Sequence, residues 1–203
     1  MVALPGRSGI EAGSKRSRRI IRARLLAAAP KREGVDDSRE RAEAPGVATE
    51  KLTIPSLAAV KDYIGVPLGP SDWVTITQER IDAFAHATGD RQWIHCDVER
   101  ASRESPWKTT IAHGYLTLAL TPDLLAQILA IIGWRTAVNT GLDKLRLSSP
   151  VPSGSRVRLS ASIKDTRDLP RNGLRVTFAV RIEVEGSSKP ALLANVNYAY
   201  FPD

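Results

Sequence analysis

Two side chains capable of acid–base chemistry stand five positions apart in the stretch GDRQWIH, residues 89–95. Asp90 offers a carboxylate and His95 an imidazole, and such a pair can bind one water molecule and move one of its protons. Trp93 and Ile94 precede the histidine, so its ring is expected to be partly desolvated. Burial moves a histidine pKa down unless a carboxylate offsets it, and Asp90 is a candidate for that carboxylate. The same seven residues also read as a Gly-Asp turn followed by a packed histidine, and spacing alone leaves both readings open. A third part lies at Gly114, in AHGYLTLAL. A glycine that opens a helix leaves backbone N–H groups without intrahelical partners, at the positive end of the helix dipole. Having no Cβ, it lets a ligand approach the backbone closely, and those N–H groups can hold a developing oxyanion. Tight packing of a loop on the helix would call for the same glycine.

The other two histidines carry less. His86 falls off the apolar stripe of its own segment and reads as a solvated surface residue. His113, immediately before Gly114, is expected to fix the loop structurally. The three histidines are not at metal-ligand spacing, and the single cysteine, Cys96, cannot supplement them, so no metal site is expected. There is no GxGxxG, phosphate loop, GxSxG elbow or HExxH.

These residues need elements to position them. SDWVTIT reads as a strand, and LTIPSLAAVKDYIG before it as a short helix. Thr77 is a natural N-cap with Glu79 in the first turn, and Ile81, Phe84, Ala85 and Thr88 follow at helical spacing. Gly89 ends that helix and Asp90 begins the loop. From Gly114 to Gly133 the chain is apolar on almost every face, which predicts a long central helix wrapped by other structure, kinked or tightened at Pro122. Beyond Gly133 the period changes to two: Leu145 and Leu147, Val157 to Ile163, Leu174 to Val184, then Val196, Tyr198 and Tyr200. Turn clusters SPVPSG, LPRNG and EGSSKP separate these runs. The pattern predicts an antiparallel meander buried on one face and curled around the helix, an α+β architecture.

The chain of 203 residues is 42% hydrophobic and carries a formal charge of +7, enough apolar material for one domain with an appendage. Residues 1–50 hold eleven Lys/Arg against seven Asp/Glu and no aromatic side chain. That composition predicts a disordered basic N-terminal extension over 1–50, with the folded domain at 51–203. The rest is mildly basic, which bears on solubility and not on a dedicated nucleic-acid surface. No apolar run approaches the ~18 residues of a membrane span, and one cysteine fits a reducing cytoplasm.

The motifs carry a resemblance. FAHATGDRQWIHCDVERA resembles the hydratase-2 motif of MaoC-like hydratases, and TIAHGYLTLAL resembles that family's following helix. The similarity to the NodN-like branch, which includes mycobacterial 3-hydroxyacyl-thioester dehydratases, runs from about Ser56 to Tyr200. It implies a hotdog fold, an antiparallel sheet wrapped around a central helix. It also implies (R)-specific hydration of trans-2-enoyl thioesters or the reverse dehydration, with no cofactor beyond the CoA or acyl carrier protein arm of the substrate. In that reading Asp90 and His95 are the catalytic pair and the Gly114 N–H binds the thioester oxygen. Gln92 and Trp93 stand where the wider family has asparagine and proline, so Gln92 is expected to give hydrogen-bond support and Trp93 to alter loop and pocket shape. Asp143 stands where close relatives carry asparagine. Lys144 and Arg146, alternating with Leu145 and Leu147, are expected to share one strand face, either meeting the phosphates of the carrier arm or forming a solvated face. Hotdog relatives dimerise through their sheets, which implies a homodimer. A hotdog thioesterase and a non-catalytic acyl-thioester binding module are the rival readings; the spacing of Asp90 and His95 and the His-Gly step favour hydratase.

Overall fold

The computed structural model describes residues 50–202. The expected N-terminal extension, 1–50, therefore lies outside the described residues except for Glu50. A parallel two-stranded ribbon joins β1 (Leu52–Ile54) to β4 (Leu129–Ile131). Between them come a 3₁₀ helix at Ala58–Tyr63, then β2 (Pro67–Leu68) and β3 (Val74–Thr75). The helices are α1 (Gln78–Thr88), α2 (Trp93–Cys96), α3 (Val98–Glu104), α4 (Gly114–Ala119) and α5 (Thr121–Ile128). Four long strands complete the chain: β5 (Thr136–Leu147), β6 (Arg156–Leu169), β7 (Gly173–Val184) and β8 (Pro190–Phe201).

The main sheet has the order β2-β6-β7-β8-β5, with β3 also on β6, and every pairing in it is antiparallel. The two-residue period seen in the sequence is the burial pattern of β7, where Leu174, Val176, Phe178, Val180, Ile182 and Val184 all face inward. That face closes on α5, whose Leu124 and Ile128 join Leu159, Phe178 and Leu192 in one apolar cluster. Helix against the concave side of a curled antiparallel sheet is the α+β arrangement the periodicities predict and the hotdog fold the resemblance implies.

Three local expectations are corrected. LTIPSLAAVKDYIG forms β1 and a 3₁₀ helix instead of a short α-helix. The Trp73 end of SDWVTIT is not strand; only Val74 and Thr75 pair. The central helix divides close to Pro122, where a kink was expected, but it is shorter than its apolar run. It breaks between Ala119 and Thr121, with Pro122 in the first turn of α5, where a missing N–H costs nothing. It then stops at Ile128, because Leu129–Ile131 pair in register with Leu52–Ile54. The helix is also wetter than its composition suggests: Tyr115 is 69% exposed.

Candidate active site

Helix α1 starts as its sequence predicts. The Thr77 hydroxyl accepts from the Arg80 N–H, and the helix ends on Gly89 at φ 80°, whose N–H donates to the Ala85 carbonyl. A left-handed C-cap turns the chain sharply, and Asp90 is the first residue beyond it. After two further residues α2 begins with Gln92 as its N-cap, and a single helical turn delivers His95.

His95 is 8% exposed, and its Nδ1 lies 2.6 Å from the Ile111 carbonyl oxygen. A carbonyl can only accept, so Nδ1 carries the proton, and in the neutral ring Nε2 is left with a lone pair. Burial lowers the His95 pKa below the usual imidazole value; the Ile111 carbonyl and Asp90 act upwards and His113 downwards. The Asp90 carboxylate, a His95 ring nitrogen and a His113 ring nitrogen all lie within 4.8 Å of one another. The pair proposed from spacing is thus brought together.

Ile111 is itself held. Its N–H donates to the Ile94 carbonyl, and the neighbouring Ala112 N–H donates to Val151. Gln78, the first residue of α1, ties the remainder: its Nε2 donates to the His95 carbonyl at 2.8 Å and to Asp82 at 2.8 Å, while its Oε1 accepts from the Thr110 hydroxyl. Sequence reasoning did not single out Gln78 or Ile111. A helix-start glutamine and an apolar residue before Ala-His-Gly carry no local signal of such bonds.

Gly114 opens α4 and lines a cavity of about 190 Å³ together with His95, Thr117, Leu147 and Val151. As the first helical residue its N–H has no intrahelical acceptor and sits at the rim of that cavity. A Cβ at this position would collide with Cδ1 of Leu147, half-exposed on β5. The atom met is the tip of a flexible side chain that can swing away, so this contact does not by itself require glycine. A larger cavity of about 430 Å³, flanked by Trp134, Tyr198 and Tyr200 near the far end of α5, contains none of Asp90, His95 or Gly114.

The other expected residues fall as follows. His86 is exposed, with the Arg91 guanidinium 3.3 Å from its Nδ1. His113 is 2% exposed and stacks on His95, centroids 3.8 Å apart. Gln92 is exposed and its side chain does not cap α2. Trp93 is half-buried beneath the Arg100 guanidinium, 4.4 Å from the ring centroid, and does not line the His95 cavity. Asp143 accepts from the Asn197 amide at 3.1 Å. The regular alternation assumed for Lys144 and Arg146 is broken: β5 carries an extra residue between Asp143 and Arg146, with Lys144 at φ 55°. Such a bulge re-aims a side chain, so the two cations do not share a face by simple period. Both are exposed, and neither lines the His95 cavity.

Three clustered donors raise the question of a metal ion. His113 Nε2 is engaged by the Asp90 backbone carbonyl and His95 Nδ1 by Ile111. One nitrogen of each ring is thus committed to a backbone carbonyl, and the two rings stack 27° from parallel. The arrangement suits proton transfer: a carboxylate near a neutral imidazole with a bare nitrogen, and a backbone donor on the small cavity that His95 and Gly114 both line.

A family model described as MaoC like domain matches residues 60–184. The 3-hydroxyacyl-thioester dehydratase Z of Mycobacterium tuberculosis is 49% identical over 142 residues, covering 70% of this chain and 93% of that protein. Nodulation protein N of Rhizobium leguminosarum bv. viciae is 44% identical over 141 residues, 69% of this chain and 88% of that one. Among solved structures, the unliganded R-hydratase PhaJ1 from Pseudomonas aeruginosa has a TM-score of 0.55 at 25% identity, over 69% of this chain and 83% of that chain. The (R)-hydratase from A. caviae has a TM-score of 0.54 at 21% identity, over 66% and 94%, and at that identity the likeness is one of fold.

Proposed function

This chain belongs to the MaoC-like family, and from that premise we propose that it is a hydro-lyase acting on trans-2-enoyl thioesters, adding water to give the (R)-3-hydroxyacyl thioester or removing it in reverse. The observation that carries the mechanism is the fixed tautomer of His95. With Nδ1–H given to Ile111, Nε2 is the basic atom of a ring that has a nitrogen within 4.8 Å of the Asp90 carboxylate.

A water bound between them donates one hydrogen to His95 Nε2 and the other to Asp90. As the water oxygen bonds to Cβ, its proton passes to Nε2 and the double-bond electrons move onto the thioester oxygen. The Gly114 N–H stabilises that oxygen through a hydrogen bond strongest when the charge is largest. The imidazolium then returns the proton to Cα, the enolate collapses to the thioester, and His95 is neutral again. One O–H bond and the C=C π bond are lost, one C–O and one C–H bond form, and both additions take place on the face that meets the pair. The Asp90 carboxylate orients the water and offsets the transient positive charge on the ring. The route draws on no resident metal or redox cofactor; the thioester arm, from CoA or acyl carrier protein, arrives with the substrate.

Lys144 and Arg146, exposed on β5, are proposed to meet the phosphates of that arm, and their charge reversal is expected to raise the KM for a CoA substrate. An unchanged KM removes them from the site. Strand β5 is an open sheet edge carrying the exposed apolar residues Val138, Leu142 and Leu147. Such an edge is a template for pairing with another chain, and we assign it to a homodimer working in the cytoplasm.

The test is product analysis with a trans-2-enoyl-CoA. An (R)-3-hydroxyacyl-CoA product without free thiol is expected. Release of CoA thiol would transfer the site to hydrolysis, and binding without turnover would make it an acyl-thioester binding module.

A further inference from the structure

His113 touches each part of the proposed machinery. Its Nε2 donates to the backbone carbonyl of Asp90 at 2.9 Å, 23 residues away in sequence. Its ring stacks on that of His95 and makes a tilted contact with Phe84 of α1, ring centroids 5.0 Å apart. Its own backbone caps α4, taking the Thr117 N–H on its carbonyl one residue before Gly114. The acid–base loop, the imidazole and the oxyanion donor come from three separate elements, and this one side chain is bonded, stacked or adjacent to all three.

The second nitrogen shows what the side chain is kept for. Nδ1 of His113 is buried without a hydrogen-bond partner among the described residues. A buried acceptor left unpaired is destabilising, and a phenyl ring of similar size would fill the same space without that penalty. Packing alone therefore favours phenylalanine here. The Nε2–H bond to Asp90 is what phenylalanine cannot make.

Resting on the hydratase reading above, we propose that His113 is a positioning residue that sets the Asp90 loop and the His95 ring in register with the Gly114 N–H. It works through the proton on Nε2 that it gives to the Asp90 carbonyl, and it does not exchange protons with substrate.

Three variants separate positioning from filling. In His113→Gln an amide nitrogen can reach the place of Nε2 and restore the bond to Asp90. In His113→Asn it falls short. His113→Phe keeps the stack and loses the donor. With trans-2-enoyl-CoA, His113→Phe and His113→Asn are expected to lower kcat by about 10- to 100-fold, the order of a sub-ångström to ångström misplacement, with KM within about threefold. His113→Gln is expected to recover most of kcat. Without substrate, amide hydrogen exchange of residues 89–92 should quicken in the Phe and Asn variants and stay slow in Gln. A Phe variant with kcat within twofold of wild type overturns the proposal. If the Phe variant does not fold, equal kcat in the Gln and Asn variants overturns it instead. A wild type without hydratase turnover refutes the functional reading, and the exchange contrast then decides the role of His113 by itself.

Discussion

At the scale of the residue, His95 and Asp90 are unequal partners. His95 holds a proton on the nitrogen that faces Ile111 and none on the other, so it is ready to accept. Its pKa lies below the ordinary histidine value of about 6.5, chiefly because the ring is buried. Hydration is expected to persist as pH falls through 6.5 and to fail only where His95 itself protonates; a rate profile with an acid limb above pH 7 contradicts this. The same depression has a consequence for stability. Below the unfolded-state value near 6.5 the unfolded chain binds a proton at His95 that the folded chain resists. The stability contribution is therefore complete above that pH and is lost as pH falls through the folded pKa. His95→Ala should flatten this dependence in acid denaturation, and should cost about 10²–10⁴ in turnover. Asp90, His95 and Gly114 were noticeable in the sequence as candidates because acid, base and helix-opening glycine are distinctive types. Their supports were not. Gln78 reaches His95 across 17 positions and Thr110 across 32, and nothing local to any of the three announces that meeting.

At the scale of the element, α1 and its two caps act as the bracket for the site. Thr77→Ala is expected to cost about 1 kcal/mol of stability, read as a lowered denaturant midpoint with an unchanged slope. Gly89→Ala forces a Cβ into φ 80° and should cost about 1 kcal/mol or more, with a loss of turnover because Asp90 is the next residue. Wild-type stability and rate in both variants would contradict the bracket. Capping signals were readable because they are local: a threonine, an acid in the first turn and a glycine after the last periodic residue. The end of the central helix was not readable. Leu124 to Ile132, apolar but for Gln127, suits a buried helix or a buried strand equally, and only the distant segment Leu52–Ile54 decides that Leu129–Ile131 pair as strand. The bulge at Lys144 did leave a trace, since Leu142 and Leu145 stand three apart where the period is two, and the pairing with β8 gains its extra residue at that step.

At the scale of the molecule, the sheet–helix core and the open β5 edge make separate claims. Phe178, fully buried on β7, should cost about 3–5 kcal/mol when truncated to alanine, and the fold is expected to loosen as a whole. The alternation of β6, β7 and β8 made this architecture legible from sequence, because burial on one face imposes the period directly. The edge was less legible: β5 begins at Thr136, well before the Leu145–Leu147 alternation that marks its end, and its first nine positions include only one that is not exposed. Light scattering at micromolar concentration should give a dimer mass, and a monomer mass would remove β5 as an interface. Among the described residues no helix is long and apolar enough to cross a membrane.

The most direct test of the account is the absorbance of the enoyl-thioester band of crotonyl-CoA and of longer trans-2-enoyl-CoAs, followed with wild type beside Asp90→Asn. The acid–base reading predicts that wild type bleaches the band for at least one chain length, yielding the (R)-3-hydroxy product, and that Asp90→Asn, still folded, is slower by about 10²–10⁴. Equal rates for the two proteins, or an unchanged band with wild type at every chain length, would contradict it.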